Sequence, residues 1–432
     1  MKYHSIDPDL FISNRARLAA NLKPNSAVII HSNDVLPTNA DGTMVFRQNT
    51  NLLYLTGIEQ EETILIMAPD HPNEKLREVL FLRKTNEHIA VWEGHKFTKE
   101  EGRAASGIQQ VKWTEDFDLT LLMVLAETEN IYLETNEHIR NSSPTQTRND
   151  RFILACKEKY PVHTYQRLPP VIYALRSVKS AIEVDLIQTA CDITEKGFRR
   201  ILKSVKPGRW EYQVEADLLH EFQLNRSRRF AYEPIIAGGA NSCVLHYLQN
   251  DQQLQDGDVL LLDVAAEYAN YHADMTRTIP VNGRFTKRQR AIYDAVLRVK
   301  RGAIELLTPG NVIPEYHKSV GSMMEKELLD LGLIDKTDVK NQDPDWPAYK
   351  KYFMHGTSHH LGLDVHDVAS VYAKFEPGMV FTVEPGIYVP EERIGIRLED
   401  NIVITKKGHI NLMANIPIEA EEIEDLMNET HG

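Results

Sequence analysis

The chain has 432 residues, of which 26% are charged and 42% hydrophobic, and its formal net charge at pH 7 is −13. This length and composition are typical of a globular protein with two or three domains, and the acidic excess argues against a nucleic-acid-binding surface. The sequence contains neither an apolar run long enough to span a membrane nor an apolar signal-peptide core, so we expect a cytoplasmic protein without membrane association.

The first part of the chain has the pattern of a small α/β domain. Residues 10–22 carry apolar side chains at helical spacing, and short apolar runs that suit strands follow at residues 27–30, 63–67, 79–82 and 89–92. Arg47, Gln48 and Asn49 cluster beside apolar residues, which suits a capped helix start as well as an active-site contact. We place the domain boundary after residue 172, which gives domains of residues 1–172 and 173–432.

Longer amphipathic helices begin near residue 179. Helices predicted over residues 182–205 and 214–224 precede a strand, a loop with His246 and a hairpin with Asp263, and a second set of two helices, histidine loop and hairpin follows. Gly257 precedes Asp263 by six residues, and Gly378 precedes Glu384 by six. These matched spacings predict an internal duplication whose halves pool their carboxylates at an interface.

The first hairpin carries two acids where a buried strand ends. Asp263 follows the apolar run at residues 259–262, and Asp274 comes eleven residues later, beyond a polar turn. Cross-strand neighbours share a face, so the two carboxylates can converge, with the register left open. Buried carboxylates need a cation or a proton between them. The alternative is a solvated hairpin with two surface acids.

A histidine-rich segment adds nitrogen ligands to these acids. Residues 355–367 contain four histidines, and four carboxylates lie on the two hairpin units. This oxygen-rich set favours divalent ions such as Mn²⁺, Co²⁺ or Fe²⁺, and four carboxylates balance two such ions. Two ions about 3.5–4 Å apart can share and acidify a water molecule, which predicts hydrolysis.

Cys156, Cys191 and Cys243 are widely spaced, which predicts reduced thiols and no thiolate zinc site.

At these positions the sequence resembles a known family. Asp263, Asp274, His359, Glu384 and Glu399 together resemble the five-ligand dinuclear site of the pita-bread metallopeptidases. Residues 355–367 are similar to the signature of the proline-peptidase branch, and the N-terminal segments 46–49 and 54–57 look like that branch too. Within the branch, segments 383–388 and 394–400 look most like bacterial aminopeptidase P. Methionine aminopeptidases lack such an N-terminal domain, and creatinase, a relative that works without metal, lacks the ligands.

The resemblance implies the fold and the reaction. It implies an α/β (α+β) protein with a pita-bread catalytic domain and an N-terminal α/β domain of the creatinase/prolidase type. It also implies an aminopeptidase that hydrolyses the bond between an N-terminal residue and a penultimate proline, through a hydroxide bridging two divalent metal ions. Manganese is the expected metal, with cobalt, iron or zinc as alternatives. The implied partners are peptides with proline at position 2 and further copies of the chain in a homodimer or homotetramer.

The resemblance also implies residue roles. Asp263 would bind one metal ion, Asp274 and Glu399 would bridge both, and His359 and Glu384 would complete the shell of the other. Glu384 would in addition shuttle a proton. The implied substrate contacts are His246 and His366 at the tetrahedral intermediate, His355, Tyr388 and Arg397 on the proline side, and Trp92 in a neighbouring subunit's site. A plain strand-end tryptophan is an equal alternative for Trp92.

Two other functions remain open at this point. Prolidase has the same ligands and fold but cuts only dipeptides. A non-catalytic peptide-binding module with the same fold is the alternative from another class, and the presence of all five ligands argues against it.

Overall fold

The structure is a computed structural model that describes residues 3–137 and 144–429. The chain forms two compact units: Ser5–Arg176, and a second unit that runs from Ser177 and includes His4. In the described residues, no helix combines the length and apolar character that crossing a bilayer requires.

The N-terminal unit is built on a six-stranded mixed sheet. Its strands are β1 (Ser26–His31), β2 (Pro37–Asn39), β3 (Gly42–Thr43), β4 (Ile64–Met67), β5 (Glu78–Leu82), β6 (Gln110–Trp113), β7 (Asn130–Leu133) and β8 (Thr164–Arg167). Its helices are α1 (Asp9–Ala19), α2 (Thr50–Thr56), α3 (Glu87–Glu93), α4 (Lys99–Ser106), α5 (Phe117–Leu125), α6 (Arg148–Lys159) and α7 (Pro169–Ser177). The strand order is β6-β5-β4-β1-β7-β8, with β2 and β3 in a separate hairpin. The central strands are buried throughout, as their unbroken apolar runs predict.

Two local predictions in this unit have opposite outcomes. The strand predicted at residues 89–92 is wrong, because these residues lie in α3, where Asn86 accepts a hydrogen bond from the Ile89 N–H. Every residue of α3 is at least partly exposed, and Trp92 is 78% exposed, so its apolar residues do not face a core. The helix-start interpretation of residues 47–49 is confirmed, since the Asn49 side chain caps α2.

The second unit contains the remaining elements. Its strands are β9 (Ile235–Gly238), β10 (Val259–Asp263), β11 (Glu267–Tyr268), β12 (Tyr271–His272), β13 (Thr276–Pro280), β14 (Val380–Val383), β15 (Gly386–Val389), β16 (Ile394–Arg397), β17 (Asp400–Thr405) and β18 (Gly408–Asn411). Its helices are α8 (Ala181–Ser204), α9 (Glu211–Leu224), α10 (Lys287–Glu305), α11 (Ile313–Asp330), α12 (Lys336–Lys340) and α13 (Ala420–Asn428). Short 3₁₀ helices occur at Glu74–Leu76, Thr114–Asp116, Gly239–Cys243, Ala348–Lys351 and Pro390–Glu392.

Helices α8 and α9 show how the sequence sets the packing. A capping box of Ser180 and Glu183 starts α8, and a buried apolar stripe follows along it. A Cβ atom at Gly197 would lie 2.6 Å from the ring of Phe222 on α9. Glycine at this position therefore allows the two helices to approach closely.

The order of elements agrees with an internal repeat. In the first half β10 pairs antiparallel with β13, and Asp263 lies opposite Thr276. In the second half β14 pairs antiparallel with β17, and Val383, next to Glu384, lies opposite Asp400. A short hairpin separates the paired strands in each half: β11–β12 in the first and β15–β16 in the second. Each half thus presents its acids where a paired strand begins or ends.

Candidate metal centre

Acids from both halves meet one histidine at these strand ends. Asp274, His359 and Glu399 each offer a ligand atom, and the three atoms lie within 4.8 Å of one another. Asp274 is 5% exposed and Glu399 is 2% exposed. The alternative of a solvated hairpin with surface acids is therefore wrong for Asp274, which is buried against the second half.

Hydrogen bonds between the halves fix this arrangement. The Glu399 N–H donates to the Thr276 carbonyl at 3.0 Å, and the Thr276 hydroxyl donates to Glu399 Oε2 at 2.6 Å. Asn401, two residues further on, bonds to the backbone of Asp274. These contacts hold two carboxylates from different halves at a set separation.

Asp400 lies between two residues of the site but points to other partners. It accepts a hydrogen bond from Arg277 Nη2 at 2.7 Å and forms an ion pair with Lys300. Both cations are buried, with Arg277 0% and Lys300 3% exposed. Burial would raise the pKa of Asp400, but Lys300 and Arg277 hold it below its ordinary value. This carboxylate therefore has its countercharges in the protein itself.

His359 is oriented by its neighbours. Its ring Nδ1 lies 2.9 Å from the His360 carbonyl oxygen, to which it can donate, so Nε2 faces the acids. The distances from Nε2 are 3.4 Å to Asp274 Oδ2 and 3.7 Å to Glu384 Oε1. Burial would lower the pKa of His359, but the contact with Asp274 and the charge of Glu384 raise it to about 9.

The carboxylates crowd one another in a buried space. Burial raises the pKa of Glu384 to about 7, against the opposing charges of His359 and Arg397. Burial and the charge of Asp274 raise the pKa of Glu399 well above its ordinary value. Crowded carboxylates of this kind take up either protons or cations. The donor set therefore fits divalent metal ions.

Asp263 is held differently from the other acids. Its Oδ1 accepts a hydrogen bond from the Tyr232 hydroxyl at 2.5 Å, and its Oδ2 accepts one from Arg397 Nη2 at 2.6 Å. Burial raises the pKa of Asp263 above its ordinary value, although the charge of Arg397 opposes this rise. Tyr232 was not among the sequence-predicted site residues. Its position just before β9 has no spacing or motif that marks it.

A hydrogen-bonded chain leads from Asp263 along the side of the site. Arg397 Nη1 donates to the Tyr388 hydroxyl oxygen at 2.9 Å, and this hydroxyl lies 2.7 Å from His355 Nε2. Burial and the charge of Arg397 lower the pKa of His355 to about 3, so its ring is neutral. The Tyr388 hydroxyl can therefore donate to Nε2, while Nδ1 donates to the Gly356 carbonyl at 2.7 Å.

The remaining candidate residues are exposed. The ring of His366 lies 4.2 Å from the ring of His359. His246 is on the loop after the 3₁₀ helix Gly239–Cys243, and its charge contributes to the lowered pKa of His355. The structure thus brings both histidines to the same group of residues, and Trp92 belongs to the N-terminal unit.

The fold and this site define a metallopeptidase with pita-bread architecture. Residues 185–406 match metallopeptidase family M24, and residues 11–132 match the aminopeptidase P N-terminal domain. The chain belongs to metallopeptidase family M24. The family and the group of Asp274, His359 and Glu399 together indicate that it binds divalent metal ions.

Named relatives cover almost the whole chain. The chain is 36% identical to the Xaa-Pro aminopeptidase of Haemophilus influenzae, with 97% of both chains covered. It is 34% identical to the Xaa-Pro aminopeptidase of Escherichia coli, with 96% of this chain and 97% of that one covered. Zinc-substituted E. coli aminopeptidase P in complex with product superposes with a TM-score of 0.87 at 32% identity, over 98% of this chain and 99% of that one.

Proposed function

We propose that this metallopeptidase is an Xaa-Pro aminopeptidase that releases the first residue of peptides with proline at position 2. The observation that carries the proposal is the group of the buried acids Asp274 and Glu399 with His359, beside a neutral His355 bonded to Tyr388. The near full-length similarity to two Xaa-Pro aminopeptidases supports the same substrate class.

The proposed metal site holds two divalent ions, with manganese as the first choice. Asp263, Asp274, His359, Glu384 and Glu399 would hold them, because their carboxylates balance the charge of two such ions and the histidine Nε2 faces the acids. The ions would supply an acidified water molecule and polarise the carbonyl of the scissile bond.

The side chains around the ions have separate proposed roles. Glu384 takes the proton of the attacking water and passes it to the departing proline nitrogen, which has no hydrogen of its own. His246 and His366 stabilise charge on the tetrahedral intermediate as hydrogen-bond donors. Tyr388, His355 and Arg397 form a fixed polar wall on the proline side.

The two domains have separate proposed roles as well. We assign residues 173–432 to catalysis and residues 1–172 to substrate selection and subunit contacts in a homodimer or homotetramer. The two compact units, which divide between Arg176 and Ser177, support a two-domain organisation with a boundary close to the proposed one. Trp92 is 78% exposed and is therefore accessible to a peptide in a neighbouring subunit's site.

A comparison of two peptides tests the function. The manganese-loaded enzyme is expected to release arginine from Arg-Pro-Pro, with about two ions bound per chain by elemental analysis. Hydrolysis of the dipeptide Gly-Pro alone would instead identify a prolidase. Binding of both peptides without hydrolysis would identify a peptide-binding module.

A further inference from the structure

Glu211 is a buried acid outside the metal centre. It is the first residue of α9 and is 0% exposed, in a position where the helix N-terminus favours a negative charge. Its Oε1 accepts hydrogen bonds from the Gly238 N–H at 2.8 Å and from Asn241 Nδ2 at 3.5 Å. Its Oε2 accepts hydrogen bonds from the Tyr247 hydroxyl at 2.8 Å and from the Gln252 N–H at 2.9 Å.

These four donors are spread along one segment. We call residues 239–252, which begin with the 3₁₀ helix Gly239–Cys243, the His246 loop, because His246 lies exposed near their middle. Gly238 immediately precedes the loop, Asn241 and Tyr247 lie within it, and Gln252 ends it. The Glu211 N–H also donates to the Gln252 carbonyl at 3.0 Å. One carboxylate therefore joins the start, the middle and the end of the loop.

The loop packs against the wall of the metal centre. Tyr247, the neighbour of His246, belongs to a buried apolar cluster with Leu261 and Tyr388. The Gly395 N–H donates to Ser242 Oγ at 2.8 Å, which connects the loop to β16. The position of the loop thus determines where His246 lies relative to Tyr388.

We propose that Glu211 is a positioning residue that holds His246 in its place for the reaction, an inference that rests on the proposed function. Only an ionised carboxylate can accept all four hydrogen bonds. Glutamine has the same shape but would direct an NH₂ group at two of the donors, which leaves buried N–H groups unpaired.

Glu211→Gln and Tyr247→Phe test this proposal in the manganese-loaded enzyme. We expect Glu211→Gln to lower kcat/KM on Arg-Pro-Pro by about tenfold or more with the metal content unchanged. Tyr247→Phe keeps the ring in the apolar cluster, removes one bond to Glu211, and should give a smaller loss. Asp217→Asn is the matched control on the same helix, since Asp217 bonds to Arg200, Ser204 and Arg209 outside the loop.

A double-mutant cycle separates positioning from general destabilisation. In a His246→Ala background, Glu211→Gln should change kcat/KM by less than about twofold, because the group it positions is already missing. An equal loss in both backgrounds would overturn the proposal. If Glu211→Gln does not fold, the same double-mutant cycle with Tyr247→Phe tests whether the effect on kcat/KM depends on His246.

Hydrogen exchange gives a readout that does not depend on activity. Glu211→Gln and Tyr247→Phe should speed amide exchange within residues 239–252, and Asp217→Asn should not. Unchanged exchange in both loop variants would refute the positioning role. If the wild-type enzyme does not cleave Xaa-Pro peptides, the proposed function fails, whereas the exchange result still shows whether Glu211 orders the loop.

Discussion

Asn401 and Asp274 are joined by two hydrogen bonds that run in opposite directions. The Asp274 N–H donates to Asn401 Oδ1 at 3.0 Å, and Asn401 Nδ2 donates to the Asp274 carbonyl oxygen at 2.7 Å. Asn401 is 0% exposed and lies on the strand that follows Glu399. The pair therefore joins the two halves of the repeat directly behind their acids.

Asn401→Ala should weaken metal binding without removing a ligand. The loss of support behind Asp274 is expected to lower manganese affinity by about 10- to 100-fold, as for other residues that orient metal ligands. Asn282→Ala is the control, because Asn282 bonds to Asp256 on the surface. Metal titration of the two variants measures the effect. Equal affinities would show that Asp274 keeps its position without Asn401.

Glu399→Gln should remove both metal and activity. The amide oxygen can still accept the Thr276 hydrogen bond, so the local structure is kept, while one negative charge is lost. We expect fewer than two ions per chain by elemental analysis and a fall in kcat of about a thousandfold. Full metal content together with normal turnover would rule out Glu399 as a ligand.

Tyr388→Phe should lower activity while the metal content stays unchanged. The variant removes the hydroxyl group that accepts from Arg397 and lies 2.7 Å from His355 Nε2. Because the His355 ring then loses one of its two hydrogen-bond partners, we expect kcat/KM on Arg-Pro-Pro to fall by about tenfold or more. Steady-state kinetics with parallel metal analysis checks this. If Tyr388→Phe has the kinetics of the wild type, the hydrogen bonds that join Arg397, Tyr388 and His355 do not contribute to catalysis.

Acidification should stabilise the metal-free protein. The pKa of Glu384 rises from 4.5 to about 7 on folding, so the folded state binds more protons than the unfolded state between these values. Stability from this group therefore falls as pH increases from 4.5 to 7. The pKa of His359 rises from 6.5 to about 9, and its contribution is present below pH 6.5 and lost as pH rises to 9.

Thermal unfolding in the presence of a metal chelator tests whether the stability of the metal-free protein falls as pH rises. The Tm of the metal-free wild type should fall between pH 5 and pH 7 more steeply than that of Glu384→Gln, because the amide does not titrate. Manganese should reverse the trend, since metal ligands bind in the deprotonated form. An identical slope in the two proteins between pH 5 and pH 7 would contradict the raised pKa of Glu384.

Long periodic segments and strand-end acids could be predicted from sequence. The helix predicted at residues 182–205 is confirmed as α8, because its apolar stripe repeats over many turns. The predicted duplication implied that carboxylates of the two halves meet, and Asp274 and Glu399 do lie together. The run at residues 89–92 failed as a strand, because four apolar residues suit both elements and the Asn86 cap selects the helix.

Groups that act through hydrogen bonds to residues distant in sequence could not be predicted. Asn401 bonds to the backbone of a residue far away in sequence, and Glu211 accepts hydrogen bonds from four donors spread over residues 238–252. Neither contact has a period or a spacing that sequence reasoning can use. The pairing of Asp263 with Tyr232 and Arg397 likewise depends on the folded geometry of three separate segments.

Glu399, Asp400 and Asn401 are consecutive residues with different contacts. Glu399 lies in the group of metal-ligand candidates, Asp400 pairs with Arg277 and Lys300, and Asn401 bonds to the backbone of Asp274. Inserting or deleting one residue here would turn each of these side chains to the opposite face, because neighbouring side chains in a strand point in opposite directions. A change in chain length at this point is therefore expected to disrupt the metal centre. The turn at residues 406–407, between β17 and β18, lies beyond these three residues, so the chain can lengthen there without moving their side chains to the opposite face.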